Sequence, residues 1–210
     1  MQDLQLAALL CSRLCHDLIG PIGALNNGIE ILADEDEPAM REQATQLLGD
    51  SADEAARRLR FYRLAFGASG GMGQSIPLSE AREATLGLFH KGRTKLEWPA
   101  DVNLPSVDKS LVKLVLNMVL LAGAALPRGG ILSLRSGSGE HSPVVVAAAG
   151  TGARVESEIQ TILDQKLDHA LIDSQNVVAF YAVALAASQG LRIAAAKPTE
   201  GCIEFALVKA

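Results

Sequence analysis

Leu14-Cys15-His16-Asp17-Leu18-Ile19-Gly20-Pro21-Ile22 (LCHDLIGPI) lies inside a longer apolar repeat, and its reading decides the fold. From Leu4 to Leu32 apolar residues recur at Leu4, Ala8, Cys11, Cys15, Leu18, Ile22, Leu25, Ile29 and Leu32. The steps alternate between four and three, a heptad seam that predicts one long amphipathic helix in coiled-coil-like packing. At about 100° per residue, His16 stands one step around from this seam and faces solvent. Gly20 and Pro21 then break the local rule, since Pro costs roughly 3 kcal/mol inside a helix. Pro21 has no N–H for the Asp17 carbonyl and crowds it, so a bend with an unpaired carbonyl is expected one turn after the histidine. Asp17 does not share the helical face of His16, but it can orient the imidazole ring. A broken rule beside a titratable pair marks this stretch as the place to look for function.

Outward from it, Asp34 to Pro38 (DEDEP) reads as an acidic turn, with Pro38 suited to the first position of a second helix. That helix is expected over 39–66, with a seam at Leu48, Ala52, Ala55, Leu59, Tyr62 and Phe66. The pair makes an antiparallel hairpin, each arm about 40 Å long at about 1.5 Å per residue. A hairpin alone leaves its seam half exposed, and two copies would close it into a dimeric four-helix bundle. Gly67 to Pro77 (GASGGMGQSIP) has linker composition. Beyond it the pattern predicts a helix at 79–90 with Ser79 as N-cap, a strand at 94–97 and a buried helix at 106–126. Strands at 130–136 and 143–149 follow, then helices at 155–166 and 174–189. A hairpin of 191–196 with 202–208 closes the chain. The fold class is therefore α+β: a helical hairpin (1–66), a linker (67–77) and an α/β sandwich with its helices on one face (78–210).

Composition narrows the function. The 210 residues are 49% hydrophobic with 4% aromatic, so the chain can bury a core built mainly of Ala, Leu and Val. A net charge of −5 disfavours nucleic acid as a partner. Three cysteines, Cys11, Cys15 and Cys202, form no disulfide framework, and the N-terminus has no signal-peptide pattern; both suit a cytoplasmic protein. No uninterrupted apolar run reaches membrane-span length, because Leu111 to Leu126 is broken by Lys113 and Asn117. Cys11, Cys15 and His16 could be read as metal ligands. The two cysteines fall in the seam while His16 points away, which favours core cysteines and no metal.

His16-Asp17-Leu18-x-x-Pro21-Ile22 resembles the H box of sensor histidine kinases, which lies on the first helix of a dimeric hairpin. Leu114 to Ala122 (LVLNMVLLA) is similar to their N box, and Val145 to Gly152 (VVAAAGTG) to their first glycine box. The resemblance spans essentially the whole chain, and its departures are informative. Leu121 stands for the second N-box asparagine and Ala148 for the adenine-reading aspartate, while no glycine lies between Gly152 and Gly190. The nucleotide site is thus expected to be lost. A kinase-like dimer that keeps its histidine without its ATP site resembles the ChpT-type histidine phosphotransferases of alphaproteobacteria.

That resemblance implies that His16 is phosphorylated, that the protein is a homodimer, and that receiver domains dock on the bundle just below His16. It implies a hybrid-kinase (CckA-like) receiver as donor and CtrA-like and CpdR-like response regulators as acceptors. No cofactor of its own is implied, the Mg²⁺ coming with the receiver. Asp17 is expected to orient the ring. Ile19, Gly20, Ile22, Gly23 and Asn26, with Arg57, Arg58 and Tyr62 from the second helix, are expected to meet the receiver. In many bifunctional kinases the residue four after the histidine is Thr or Asn and aligns a hydrolytic water. Gly20 has no side chain to do so, which implies transfer without hydrolysis. Two rival readings are an ATP-dependent sensor kinase, which would autophosphorylate, and an inert dimeric scaffold, in which removing His16 would change no phosphate flow.

Overall fold

The computed structural model describes residues 3–67, 76–99, 102, 109–139, 142–166 and 169–210. Most of the expected linker, residues 68–75, and the expected helix start at 106–108 lie outside them.

Helix α1 (Asp3–Asp34) runs unbroken through Pro21, and α2 (Pro38–Ala65) returns alongside it. Pro38 occupies the first turn of α2, as its sequence position implied. The stripe that α1 turns inward is not the expected seam. It runs Leu10, Leu14, Asp17, Pro21, Ala24, Gly28 and Ile31, one residue before the seam positions. This stripe also alternates fours and threes, but it carries smaller residues. Both Pro21 and Gly28 are buried, and a Cβ on Gly28 would lie 2.8 Å from Leu48 Cγ, so the helices approach closely there. Cys11, Cys15, Ile22 and Ile29, expected in the core, are instead exposed on the single chain.

By length and composition α1 is also the one helix among the described residues that could cross a membrane, although Arg13 and Asp17 interrupt its apolar run. Two of its sides meet protein, while Leu4, Ile19, Ile22 and Ile29 stay exposed on the single chain. One side packs on α2, while Leu6, Leu9, Leu10 and Leu14 reach the core of the following domain.

That domain begins with α3 (Leu78–Leu88), whose N-cap is Pro77 rather than the expected Ser79. Strand β1 (Thr94–Glu97) and helix α4 (Lys109–Ala124) lead into the hairpin β2 (Gly130–Gly139) and β3 (Ser142–Ala149). Helix α5 (Ser157–Leu163), a 3₁₀ turn (His169–Leu171) and α6 (Val177–Ala187) precede the hairpin β4 (Leu191–Thr199) and β5 (Cys202–Lys209). Both α5 and α6 are shorter than their apolar patterns suggested. Asp173 accepts the backbone N–H groups of Gln175 and Asn176 in a turn, which delays α6. The five strands order as β1-β2-β3-β5-β4, with β1 parallel to β2 and the other pairs antiparallel. Gly201, at φ +75, makes the tight β4–β5 turn possible.

Alternation decides the faces of the sheet. Leu132, Leu134, Val144, Val146, Ala148, Ile203, Phe205 and Leu207 are buried, on the face covered by the helices. The opposite face carries the Arg135–Glu204 ion pair at 2.8 Å. The sandwich with helices on one face is thus the observed form. Its core continues into the hairpin through Phe61, Tyr62, Leu64 and Ala65 of α2.

Candidate functional site

His16 sits midway along α1 with 78% of its side chain exposed, whereas that of Asp17 is only 10% exposed. The imidazole Nδ1 lies 3.1 Å from Asp17 Oδ1. An ionised carboxylate can only accept, so in the neutral ring this bond favours the proton on Nδ1 and leaves the lone pair on Nε2. The rest of Asp17 is held just as closely. Arg13 Nε donates to Oδ2 at 2.9 Å, and the Tyr62 hydroxyl donates to the same oxygen. Burial alone would raise the Asp17 pKa. The hydrogen bonds from Tyr62 and His16, with the charge of Arg13, outweigh it and leave the carboxyl below its ordinary value. Tyr62 shifts the other way: burial, then its bond to Asp17 and that residue's charge, push the phenol well above the usual range.

The carbonyl that Pro21 deprives of a partner is not left unpaired. Arg58 Nη1 donates to Asp17 O at 2.7 Å, and Glu54 holds the same guanidinium at 2.6 and 3.0 Å. The expected orphan carbonyl is therefore corrected by a long side chain from the neighbouring helix, which takes the place of the missing N–H.

The expected receiver-facing residues divide. Ile19 (74% exposed) and Ile22 (47%) stand out from α1 with Gly20 and Asn26, and Gly23 is half-buried. Nothing lies within 4 Å of where a Cβ on Gly20 or Gly23 would be. Arg57 is half-buried, 3.6 Å from Asp53 and packed on Gly87 of α3. Arg58 is engaged with Asp17 and Glu54. Tyr62 is only 4% exposed and turned toward Asp17, so burial takes it off the expected docking surface. Sequence reading had no means of pairing Tyr62 or Arg58 with Asp17 across more than forty residues. Arg13 was within its reach, standing one helical turn before Asp17.

The kinase-like motifs have other uses in this fold. Asn117 is fully buried, and its amide donates to the Ala65 carbonyl at 3.1 Å and to Lys113 O at 2.8 Å. The Lys113 ammonium donates to Gly67 O. Together they satisfy carbonyls at the C-terminal end of α2 and tie it to α4. Leu121, Ala125, Val155, Ile159 and Phe205 close on a cavity of about 30 Å³ beside α4. Ala148 is fully buried in the core.

The sequence matches the family model for the histidine phosphotransferase C-terminal domain over residues 78–201. Over 195 residues it is 38% identical to the protein phosphotransferase ChpT of Brucella abortus (strain 2308), covering 92% of this chain and 90% of that one. A bacterial phosphotransferase solved at 1.7 Å superposes with a TM-score of 0.84 at 36% identity, covering 99% of this chain and 97% of that chain. An exposed, carboxylate-oriented histidine on a helical hairpin, joined to that domain, accords with these matches: the chain belongs to the histidine phosphotransferase family.

Proposed function

We propose that this phosphotransferase carries the phosphoryl group on Nε2 of His16. It would take the group from the phosphoaspartate of a hybrid-kinase receiver and pass it to response-regulator receivers. The observation that carries this is the 3.1 Å bond from Nδ1 to Asp17, on a ring whose other nitrogen faces open solvent. The Nε2 lone pair attacks phosphorus, the acyl-phosphate P–O bond breaks, and the receiver's carboxylate leaves. The Nδ1 proton stays on the ring, where the Asp17 carboxylate offsets the positive charge that develops. Transfer to an acceptor is the reverse. The transition state is loose and charge-rich, so positioning and electrostatics supply most of the catalysis. Mg²⁺ belongs to the receiver's acidic cluster, and this chain contributes the nucleophile and its orientation.

Residues 1–66 form the phosphotransfer and dimerisation unit in this reading, joined by 67–77 to a kinase-like domain at 78–210 that no longer uses ATP. The exposed stripe of Leu4, Cys11, Cys15 and Ile29 on α1, with Met40, Leu47 and Leu59 on α2, meets a second copy to complete a four-helix bundle. Receivers dock over Ile19, Gly20, Ile22, Gly23 and Asn26. The donor is CckA-like and the acceptors CtrA-like and CpdR-like, all working in the cytoplasm. Phosphotransfer profiling tests the reading directly. Isolated receivers carrying labelled phosphate are mixed with the protein and with His16→Ala. Acid-labile, base-stable label on the parent alone is expected, and label on His16→Ala would sink the assignment.

A further inference from the structure

Asp17 Oδ2 receives two donors, the Arg13 Nε–H and the Tyr62 hydroxyl. With Oδ2 engaged by both, Oδ1 is the oxygen left for His16 Nδ1–H. Arg13 is on α1 itself and moves with Asp17, whereas Tyr62 comes from α2 and anchors the carboxylate to the rest of the molecule. Its own ring is fixed on several sides. Phe66 stacks on it with centroids 5.2 Å apart and planes 14° apart, and Phe61 meets it edge-on at 5.8 Å. Tyr181 of α6 in turn meets Phe66 edge-on at 6.0 Å. A continuous path of contacts therefore runs from the C-terminal domain through Tyr181, Phe66 and Tyr62 to Asp17 and His16.

We propose that Tyr62 is a positioning residue for phosphotransfer: its hydroxyl holds Asp17 so that the carboxylate keeps the His16 proton on Nδ1 and the lone pair on Nε2. The C-terminal domain then belongs to the phosphotransfer centre, because its α6 helps fix the ring that fixes Asp17. This rests on the reading of His16 as the phosphorylated residue. Tyr62 is too buried to touch a receiver, so its effect falls on the rate of transfer within the complex and not on docking. An ionised Asp17 is already favoured by Arg13, His16 and Tyr62 around its carboxylate, with Arg58 at its carbonyl.

Tyr62→Phe keeps the ring and removes only the donor. Phe66→Leu keeps the hydroxyl and loosens the ring. Single-turnover transfer from a phosphorylated receiver, measured against receiver concentration, gives the maximal rate and the half-saturating concentration. Long-range ¹H–¹⁵N spectra of the neutral His16 ring give its tautomer. In Tyr62→Phe the maximal rate should fall roughly three- to tenfold, the scale of one net intramolecular hydrogen bond. Half-saturation should be unchanged, and the ring should shift toward the Nε2–H tautomer. Phe66→Leu should move the rate and tautomer the same way by less. Parental rate and tautomer in Tyr62→Phe, or a change confined to half-saturation, would overturn the proposal. If Tyr62→Phe does not melt cooperatively, an unchanged tautomer in Phe66→Leu overturns it. His16→Ala run alongside separates the two failures: label on that variant removes the reading of His16, whereas an unlabelled His16→Ala beside a parental Tyr62→Phe removes only the role of Tyr62.

Discussion

His16 and Asp17 are neighbours in the chain with opposite surroundings, one open to solvent and the other enclosed by its partners' side chains and the two helices. Substituting His16 by Ala should abolish phosphate acceptance and leave the fold intact, since its side chain contributes almost nothing to packing. Asp17→Asn should slow transfer without stopping it. The amide can still accept from Nδ1–H but carries no charge to offset that of the ring, and its N–H₂ end would oppose the Arg13 and Tyr62 donors. Asp17 also sets a pH dependence of stability. Its folded pKa lies below the unfolded 3.8, so its contribution is full above that value and is lost as pH falls through the folded pKa. Parent and Asp17→Asn should therefore differ in melting temperature less in strong acid than at neutral pH. At Gly20, one turn past His16, the space is open but no side chain is present. Phosphorylated acceptor mixed with this protein alone should keep its phosphate or share it with His16. Rapid inorganic phosphate release without a donor receiver, surviving in His16→Ala, would contradict this.

Within the hairpin, α1 tolerates Pro21 because α2 repairs the hydrogen bond it removes. Arg58 reaches the Asp17 carbonyl at 2.7 Å and is steadied by Glu54. Arg58→Ala should cost about 1–2 kcal/mol in urea unfolding, the scale of leaving a half-buried carbonyl unpaired together with a lost side-chain pair. In a Pro21→Ala background the same substitution should cost less, because an alanine there supplies the helical N–H that the carbonyl lacks. A double-mutant cycle measures that coupling, and equal costs in both backgrounds would show that Arg58 acts through Glu54 alone. The exposed stripe makes a separate claim on α1. Ile29, 58% exposed and more than three turns from His16, should disrupt the proposed dimer when changed to Glu, halving the mass seen by sedimentation equilibrium.

In the molecule as a whole, Leu121 and Ala148, standing where the kinase motifs carry nucleotide contacts, predict that the C-terminal domain takes no nucleotide. Leu121 lines only a small pocket of about 30 Å³, and the Asn117 amide is spent on the end of α2. ATP at millimolar concentration should give neither a saturable calorimetric signal nor a rise in melting temperature; either result would reopen the kinase reading. Lys113 and Asn117 holding α2 by its terminal carbonyls, together with the Phe66–Tyr181 contact, bind the domain to the hairpin at the level of Tyr62. That attachment gives the domain a structural task that needs no nucleotide.

The heptad spacing, the Pro38 helix start, the alternating strands and the His-Asp-Leu-x-x-Pro motif depend on side chains a few residues apart, and their periodicity is visible in the chain itself. For that reason the hairpin, the one-sided sandwich and the candidate histidine were legible in the sequence. Which stripe of α1 faces α2 was not. Two stripes one residue apart both repeat in fours and threes, and the choice went to the one whose Pro21, Ala24 and Gly28 let the helices approach. The partners of Asp17 were likewise beyond local pattern. Tyr62 and Arg58 are more than forty residues away, and only the packed hairpin brings their donors to its carboxylate and its carbonyl. The sequence determined that a histidine with an acidic neighbour stands on a helix facing solvent. The tertiary structure decided how that neighbour is held, because a hydrogen bond depends on distance and direction in space and not on separation along the chain.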